Sequence, residues 1–253
     1  MNPASPAKRI AVVEDNPDNR LLVRVILESA YQVSEYESGP GALEGIERET
    51  PDLLLLDISL PEMDGVEVLR RVRANPQLSG LPVIALTAHA MSGDREKYMA
   101  LGFNDYVTKP IVDEAVLIQT IERTLDGAAP RGAIRTDGQL NSGAIERLRK
   151  LGGDSFAAEM IGVFLEYAGK KVGEVVEACA AGNFAVVEQA AHPVKSSAGN
   201  VGAAQVQELA ARIEAAAKTP PHANLQGMVQ ELKQAFESAK PRFEEIQNTL
   251  KPK

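Results

Sequence analysis

Between Arg9 and Asp126 the chain switches hydrophobic period again and again, and that alternation restricts the fold more than any other feature. Short strand-like runs at Arg9–Glu14, Gln32–Tyr36, Leu53–Asp57, Val83–Thr87 and Asp105–Thr108 are each followed by a segment with helical spacing. Those segments are Pro17–Ala30, Pro40–Glu49, Gly65–Asn75, Ser92–Leu101 and Val112–Asp126. Leu53–Leu56 and Val83–Leu86 are apolar without interruption, as strands covered on both faces must be. Strand and helix in strict alternation predict an α/β fold: a five-stranded parallel sheet, doubly wound.

The alternation then stops. Gly127–Asn141 contains Gly127, Pro130, Gly132 and Gly138 without sustained periodicity, which reads as a linker. Beyond it only helix-spaced segments occur, near Ser142–Leu151, Ser155–Ala181, Phe184–Val201, Ala203–Lys218 and Leu225–Leu250, and an antiparallel all-α bundle is the simplest packing. The sequence therefore predicts domains at 1–126 and 142–253, with a linker at 127–141. Charge divides at the same place. Residues 1–126 carry 12 Lys+Arg and 21 Asp+Glu, a net of −9, whereas 127–253 carry 15 and 14, a net of +1. Two units with different tasks are expected.

Ligands of an open parallel sheet gather at the carboxyl ends of its strands. Glu14 and Asp15 end the first run, Asp57 the third and Thr87 the fourth, while Lys109 follows the fifth. Any one of these alone is an ordinary turn residue. All of them at one edge form a crevice of three carboxylates whose repulsion a hard cation such as Mg²⁺ would relieve. One carboxylate is then a candidate nucleophile for a phosphoryl group. Metal, Lys109 and the Thr87 hydroxyl would neutralise charge on its oxygens.

The motifs around these residues resemble the response-regulator receiver family over about residues 8–126. They are Val13-Glu14-Asp15-Asn16; Asp57 with Leu60-Pro61-Glu62-Met63-Asp64-Gly65; Thr87-Ala88-His89-Ala90-Met91; and Asp105-Tyr106-Val107-Thr108-Lys109-Pro110. The resemblance implies a flavodoxin-like fold in which Asp57 accepts phosphate. It also implies that Asp15 ligates Mg²⁺ directly, Glu14 through water, and Ser59 through its backbone carbonyl. Thr87 and Lys109 would contact the phosphoryl oxygens, Lys109-Pro110 would be cis, and Tyr106 would turn inward as the switch aromatic when Thr87 moves. The domain would catalyse its own phosphorylation and dephosphorylation and would otherwise not be an enzyme. His89 reads as a loop residue at the rim.

In the second half, His192, Lys195, Ser196 and Gly199 fall on one helical face at i, i+3, i+4 and i+7. An imidazole there could attack an acyl phosphate, Lys195 could hold its oxygens, and the small residues would let a partner's backbone approach. Ala190, Ala191, Val194 and Val201 are candidates for the buried side. The string His192-Pro193-Val194-Lys195-Ser196-Ser197-Ala198-Gly199 resembles the histidine-phosphotransfer (HPt) signature, and the likeness extends over about residues 138–251. It implies that His192 is phosphorylated, that Lys195 helps electrostatically, and that Ser196 and Gly199 are docking surface. Pro193 should kink the helix locally and help expose His192, and Pro241 should kink or break the last helix. Cys179 reads as a small packing residue, His222 as a solvated turn residue, and Lys170-Lys171 as a solvated face.

Two such resemblances in one chain imply a two-component phosphorelay intermediate. Its partners would be an upstream sensor or hybrid histidine kinase and a downstream response-regulator receiver domain. A linker of roughly 15 residues spans about 20 Å r.m.s. as a flexible coil, so exchange within one chain is sterically open. The alternative is a phosphorylation-controlled binding switch in which the HPt domain is a docking module or phosphate sink. A kinase is disfavoured because no Gly-rich nucleotide loop is found. Net charge −8, absent Trp and 4% aromatics argue against a nucleic-acid partner. A single cysteine, no apolar h-region near Met1 and no apolar run of membrane length make a cytoplasmic location without membrane the expectation.

Overall fold

The computed structural model describes residues 7–88, 94–111, 113–127, 143–222 and 224–251. His89, the expected helix starts at Ser92 and Val112, and the linker beyond Gly127 lie outside the described residues. Two compact units result.

The first unit contains strands β1 (Arg9–Val13), β2 (Gln32–Tyr36), β3 (Leu53–Asp57), β4 (Val83–Thr87) and β5 (Asp105–Thr108), with helices α1 (Pro17–Leu27), α2 (Gly39–Arg48), α3 (Gly65–Ala74), α4 (Asp94–Leu101) and α5 (Glu114–Leu125). All pairings are parallel and the order is β2-β1-β3-β4-β5, the doubly wound arrangement expected from the alternation. β3 and β4 are buried at every position, whereas β2, at the edge, is not. Apolar positions of β1, β3 and β4 pack with Ala42, Ile46, Val68, Leu69 and Val72 of α2 and α3 in one core.

Register brings the chemistry to one edge. Val13 lies level with Leu56, Asp57 with Leu86, and Thr87 with Thr108. The last rungs fix the residues beyond: Glu14 N–H donates to Tyr36 O (3.0 Å), Ile58 N–H to Leu86 O (3.1 Å) and Lys109 N–H to Thr87 O (2.7 Å). The Lys109–Pro110 peptide is cis, as expected. After Asp57 the chain turns back into α3, which Asp64 caps by accepting from Glu67 N–H at 2.8 Å. Gly65 N–H donates to Ile58 O. A Cβ on Gly65 would stand 2.2 Å from the Asp57 carbonyl oxygen, so only glycine allows this approach.

The second unit contains α6 (Ala144–Ala180), α7 (Phe184–Val201), α8 (Ala204–Lys218) and α9 (Leu225–Leu250). α6 is interrupted at Gly153 (φ 79°), so the short opening helix and the longer one expected from the sequence are both present, joined at the glycine pair. α6 packs on α7 and α9, and α8 on α7 and α9, closing a four-helix bundle. Short connections at Ala181–Asn183 and Gly202–Ala203 make those neighbours antiparallel. Phe164 lies in the core with its ring 5.8 Å from Phe236 and 5.3 Å from Phe243. On α7, Val187, Ala190, Ala191, Val194, Ala198 and Val201 are buried, and this set includes all four residues assigned to that side.

Neither internal proline breaks its helix. α7 runs unbroken from Phe184 to Val201 through Pro193, and α9 from Leu225 to Leu250 through Pro241. Each proline deletes a single helical N–H. The apolar seams on either side, Val187 to Val201 in α7 and Leu225 to Phe243 in α9, hold both flanks in one register.

The Gly65 approach gives a first prediction. Gly65→Ala should lower stability by about 1–3 kcal/mol through overpacking. Urea unfolding of the two proteins measures it, and an unchanged midpoint would show that the Asp57–Gly65 turn relaxes without cost.

Candidate functional site

Two separate clusters carry the chemistry. In the first, Glu14, Asp15 and Asp57 each offer an oxygen, and these atoms lie within 4.8 Å of one another. Glu14 and Asp57 are buried. Lys109 reaches both from the end of β5, its Nζ 2.6 Å from Asp57 Oδ2 and 3.0 Å from Glu14 Oε2. The Ser59 N–H donates to Asp57 Oδ1 at 3.0 Å, which fixes the carboxylate plane. Burial first, and the Asp57 charge second, push Glu14 up to about 8. Burial opposes the charge on Lys109, but Asp57 and Glu14 outweigh it and hold the ammonium above the ordinary lysine range.

One ammonium among three carboxylates leaves the pocket short of positive charge. The donors are all oxygen, close together and partly dehydrated. This set fits a hard divalent cation such as Mg²⁺, with Glu14, Asp15 and Asp57 as the residues able to hold it.

Thr87 ends β4 and is 2% exposed. Its Oγ1 lies 2.7 Å from the hydroxyl of Tyr98 on α4. The Tyr98 ring packs 5.8 Å from half-buried Tyr106. Tyr98 did not emerge from the sequence, because nothing in the spacing of α4 ties it to the strand edge. Its only signal was a lone aromatic in a polar helical stretch, Asp94-Arg95-Glu96-Lys97-Tyr98.

The second cluster lies within the bundle. His192 on α7 places Nδ1 3.0 Å from Oε1 of Glu214 on α8. Lys195 Nζ lies 2.5 Å from Glu214 Oε2, and Lys218 Nζ 3.4 Å from Oε1. Burial would raise the Glu214 carboxyl, but the hydrogen bond from His192 and the Lys195 charge outweigh it and hold it well below the usual carboxylate range. An ionised carboxylate only accepts, so Nδ1 carries the proton. Nε2 has no hydrogen-bond partner among the described residues. Nε2 is itself buried, and with Nδ1 engaged by Glu214 it is the ring nitrogen whose lone pair is not committed to a hydrogen bond among the described residues. Glu214 also escaped the sequence reading. It lies 22 residues from His192 on another helix, and a single Glu in Ile213-Glu214-Ala215 reads as surface.

Three expectations need adjustment. His192 stands on an unbroken helix with its side chain only 13% exposed, so it is not presented freely. Lys195 is engaged by Glu214, one turn of α7 beyond His192. His222 is not a solvated turn residue. It donates from Nδ1 to Ala216 O at 3.1 Å and stacks 3.9 Å from Phe184. Cys179 is half-buried and free, and burial raises its thiol. Lys171 pairs with Glu174 at 2.7 Å, as a solvated face would.

Comparison with known proteins follows the same division. The family model for the response regulator receiver domain matches residues 10–122, and that for the Hpt domain matches residues 159–240. The polar-differentiation response regulator DivK of Brucella ovis is 40% identical over 122 residues, covering 48% of this chain and 98% of DivK. Sensor protein GacS of Pseudomonas syringae pv. syringae is 40% identical over 122 residues, which is 47% of this chain but only 13% of GacS. Among solved structures, the receiver domain of sensor histidine kinase PA1611 from Pseudomonas aeruginosa PAO1, which has a magnesium ion coordinated in its active site cleft, is 37% identical. It covers 47% of this chain and 98% of that chain, with TM-score 0.44. No helix among the described residues is long and apolar enough to cross a membrane.

The depressed Glu214 carboxyl sets a pH dependence. A group held below its unfolded value stabilises the fold above that value, about 4.3 for glutamate, and the contribution is lost as pH falls through the folded value. Denaturant titrations followed by helical circular dichroism should show stability declining below about pH 4 more steeply for the native protein than for Glu214→Gln. Parallel slopes would remove Glu214 from the account. At neutral pH, ¹⁵N spectra of His192 should show the Nδ1–H tautomer.

Proposed function

The chain belongs to the response regulator receiver family and carries an Hpt domain behind it, a pairing that makes it a phosphorelay intermediate, and we propose that Asp57 and His192 are its two phosphoryl carriers. The observation that carries this reading is the contact of Lys109 with both Asp57 and Glu14 at the carboxyl edge of the sheet. A carboxylate fixed by Ser59 N–H, beside an ammonium and two further acids, is built to take a phosphoryl group.

In the receiver, an Asp57 carboxylate oxygen attacks the phosphorus of a phosphohistidine. The new O–P bond forms as the N–P bond breaks, and the imidazole of the donor leaves with the electron pair. Lys109 then faces the new phosphoryl oxygens, and Thr87 donates its hydroxyl to one of them. Glu14, Asp15, Asp57 and the Ser59 carbonyl would hold Mg²⁺, which supplies charge neutralisation at the phosphoryl oxygens. Tyr106 follows Thr87 inward.

In the bundle, His192 Nε2 attacks the aspartyl phosphate of a receiver. An N–P bond forms, the P–O bond breaks, and the carboxylate leaves. The imidazole becomes positively charged, and Glu214, already accepting from Nδ1–H, stabilises it. Lys195 is close enough along α7 to meet the incoming phosphoryl group, and half-exposed Gly199 offers a small-residue surface on which a receiver docks; Ser196, expected there too, is buried.

The two domains imply exchange with kinases and with receiver domains. We assign a sensor or hybrid histidine kinase upstream and a response-regulator receiver downstream, in the cytoplasm, with no nucleic-acid or membrane partner. The boundaries we assign are 1–126 for the receiver, 127–141 for the linker and 142–253 for the HPt domain. The chain catalyses only its own phosphorylation and dephosphorylation.

Labelling with a phosphorylated kinase tests this. The native chain should carry a base-labile acyl phosphate, lost in Asp57→Ala, and a base-stable, acid-labile phosphohistidine, lost in His192→Gln. EDTA should abolish the first label. An acyl phosphate that persists in Asp57→Ala would overturn the assignment. Undiminished signalling by His192→Gln would favour a binding switch with the HPt domain as docking module or phosphate sink.

A further inference from the structure

We propose that Tyr98 is a latch on the Thr87 switch, so that its phenol sets how readily the receiver takes up a phosphoryl group. The proposal rests on the roles given above to Asp57 and Thr87 and adds to them a residue from a different element.

Tyr98 belongs to α4, not to the strand edge that carries the carboxylates. Its hydroxyl nevertheless lies 2.7 Å from Thr87 Oγ1, and the two residues are 4% and 2% exposed. The ring is held on two sides, edge-on to Phe103 at 6.0 Å and tilted against Tyr106 at 5.8 Å. A buried phenol requires a hydrogen-bond partner, and a buried bond of this kind is not exchanged for water without cost. Tyr98 thus touches both members of the switch, Thr87 through its hydroxyl and Tyr106 through its ring face.

Competition follows from the inventory of donors. Either hydroxyl can donate in the Thr87–Tyr98 bond, and the latch takes Thr87 as the donor: phosphoryl oxygens only accept, and a threonine hydroxyl has a single hydrogen to give. When Asp57 is phosphorylated, Thr87 swings its hydroxyl to the phosphoryl oxygens and leaves the phenol. The phosphorylated state therefore gains one Thr87 hydrogen bond and loses the one to Tyr98. Removing that hydroxyl while keeping the ring abolishes the bond that favours the unphosphorylated state. The packing on Phe103 and Tyr106 stays.

The test uses the full chain carrying His192→Gln, so that phosphate remains on Asp57, with acetyl phosphate and Mg²⁺ as reagents. An Asp57 oxygen attacks phosphorus, and acetate leaves with the electrons of the broken P–O bond. The steady-state ratio of phosphorylated to unphosphorylated protein is compared for Tyr98 and Tyr98→Phe, each with Thr87 and with Thr87→Ala. Melting temperatures confirm that all four proteins fold.

With Thr87 present, Tyr98→Phe should raise the ratio about fivefold, the worth of one hydrogen bond. With Thr87→Ala it should change nothing. An unchanged or lower ratio beside Thr87 overturns the latch, as does an equal rise in both backgrounds, which would mean that Tyr98 acts through packing. If the Tyr98, Thr87 protein takes no phosphate at all, the assignment of Asp57 falls and the latch with it. That result is distinct from normal phosphorylation without a Tyr98 effect.

Discussion

The receiver half is organised around one desolvated contact, the Lys109 ammonium between Asp57 and Glu14. Burying ions is costly, and it is tolerated only where opposite charge and hydrogen bonds meet them. Here the compensation is incomplete by design, since three acids face one lysine. Burial first, and the Asp57 charge second, lift Glu14 to about 8, and the clustered oxygens make the pocket receptive to cations. Much of the surrounding architecture keeps that imbalance in place. Strand rungs at Glu14, Ile58 and Lys109 hold the three chain segments level. The Gly65 approach allows α3 to begin directly against the Asp57 backbone.

The bundle strikes a different balance. Glu214 is one carboxylate among His192, Lys195 and Lys218, and it is held ionised. Lys218 is shared with Glu188, so two lysines face two carboxylates beside the imidazole and the cluster is close to balanced. The two clusters thus differ in kind: the receiver pocket gathers three acids around one lysine, and the bundle pairs one buried carboxylate with an imidazole and two lysines. Orientation comes as a by-product, because the carboxylate that accepts from Nδ1 also fixes the ring and its tautomer.

Legibility of these features tracked their distance along the chain. Asp57 with its Leu60–Gly65 turn, Lys109-Pro110, and the His192–Gly199 face are local strings, and each points to its chemistry without tertiary knowledge. Strand limits were equally plain, since Leu53–Leu56 and Val83–Leu86 admit little other than doubly covered strands. Glu214 and Tyr98 were not legible. Each acts on a residue in another element, and each looks ordinary among its sequence neighbours. The two prolines differ from both groups. Local rules assign Pro193 a kink and Pro241 a kink or break, yet both helices continue, with buried seams running past each proline.

By itself, then, the amino-acid order determined the α/β unit, the helical unit and which residues bear reactive groups, because hydrophobic period and short motifs are properties of adjacent residues. Only tertiary packing decided which oxygens Lys109 would bridge, which carboxylate would orient His192, and that a phenol from α4 would hold Thr87. Those outcomes depend on balances of desolvation and charge between elements far apart in the chain, and such balances exist only once burial has brought the elements together.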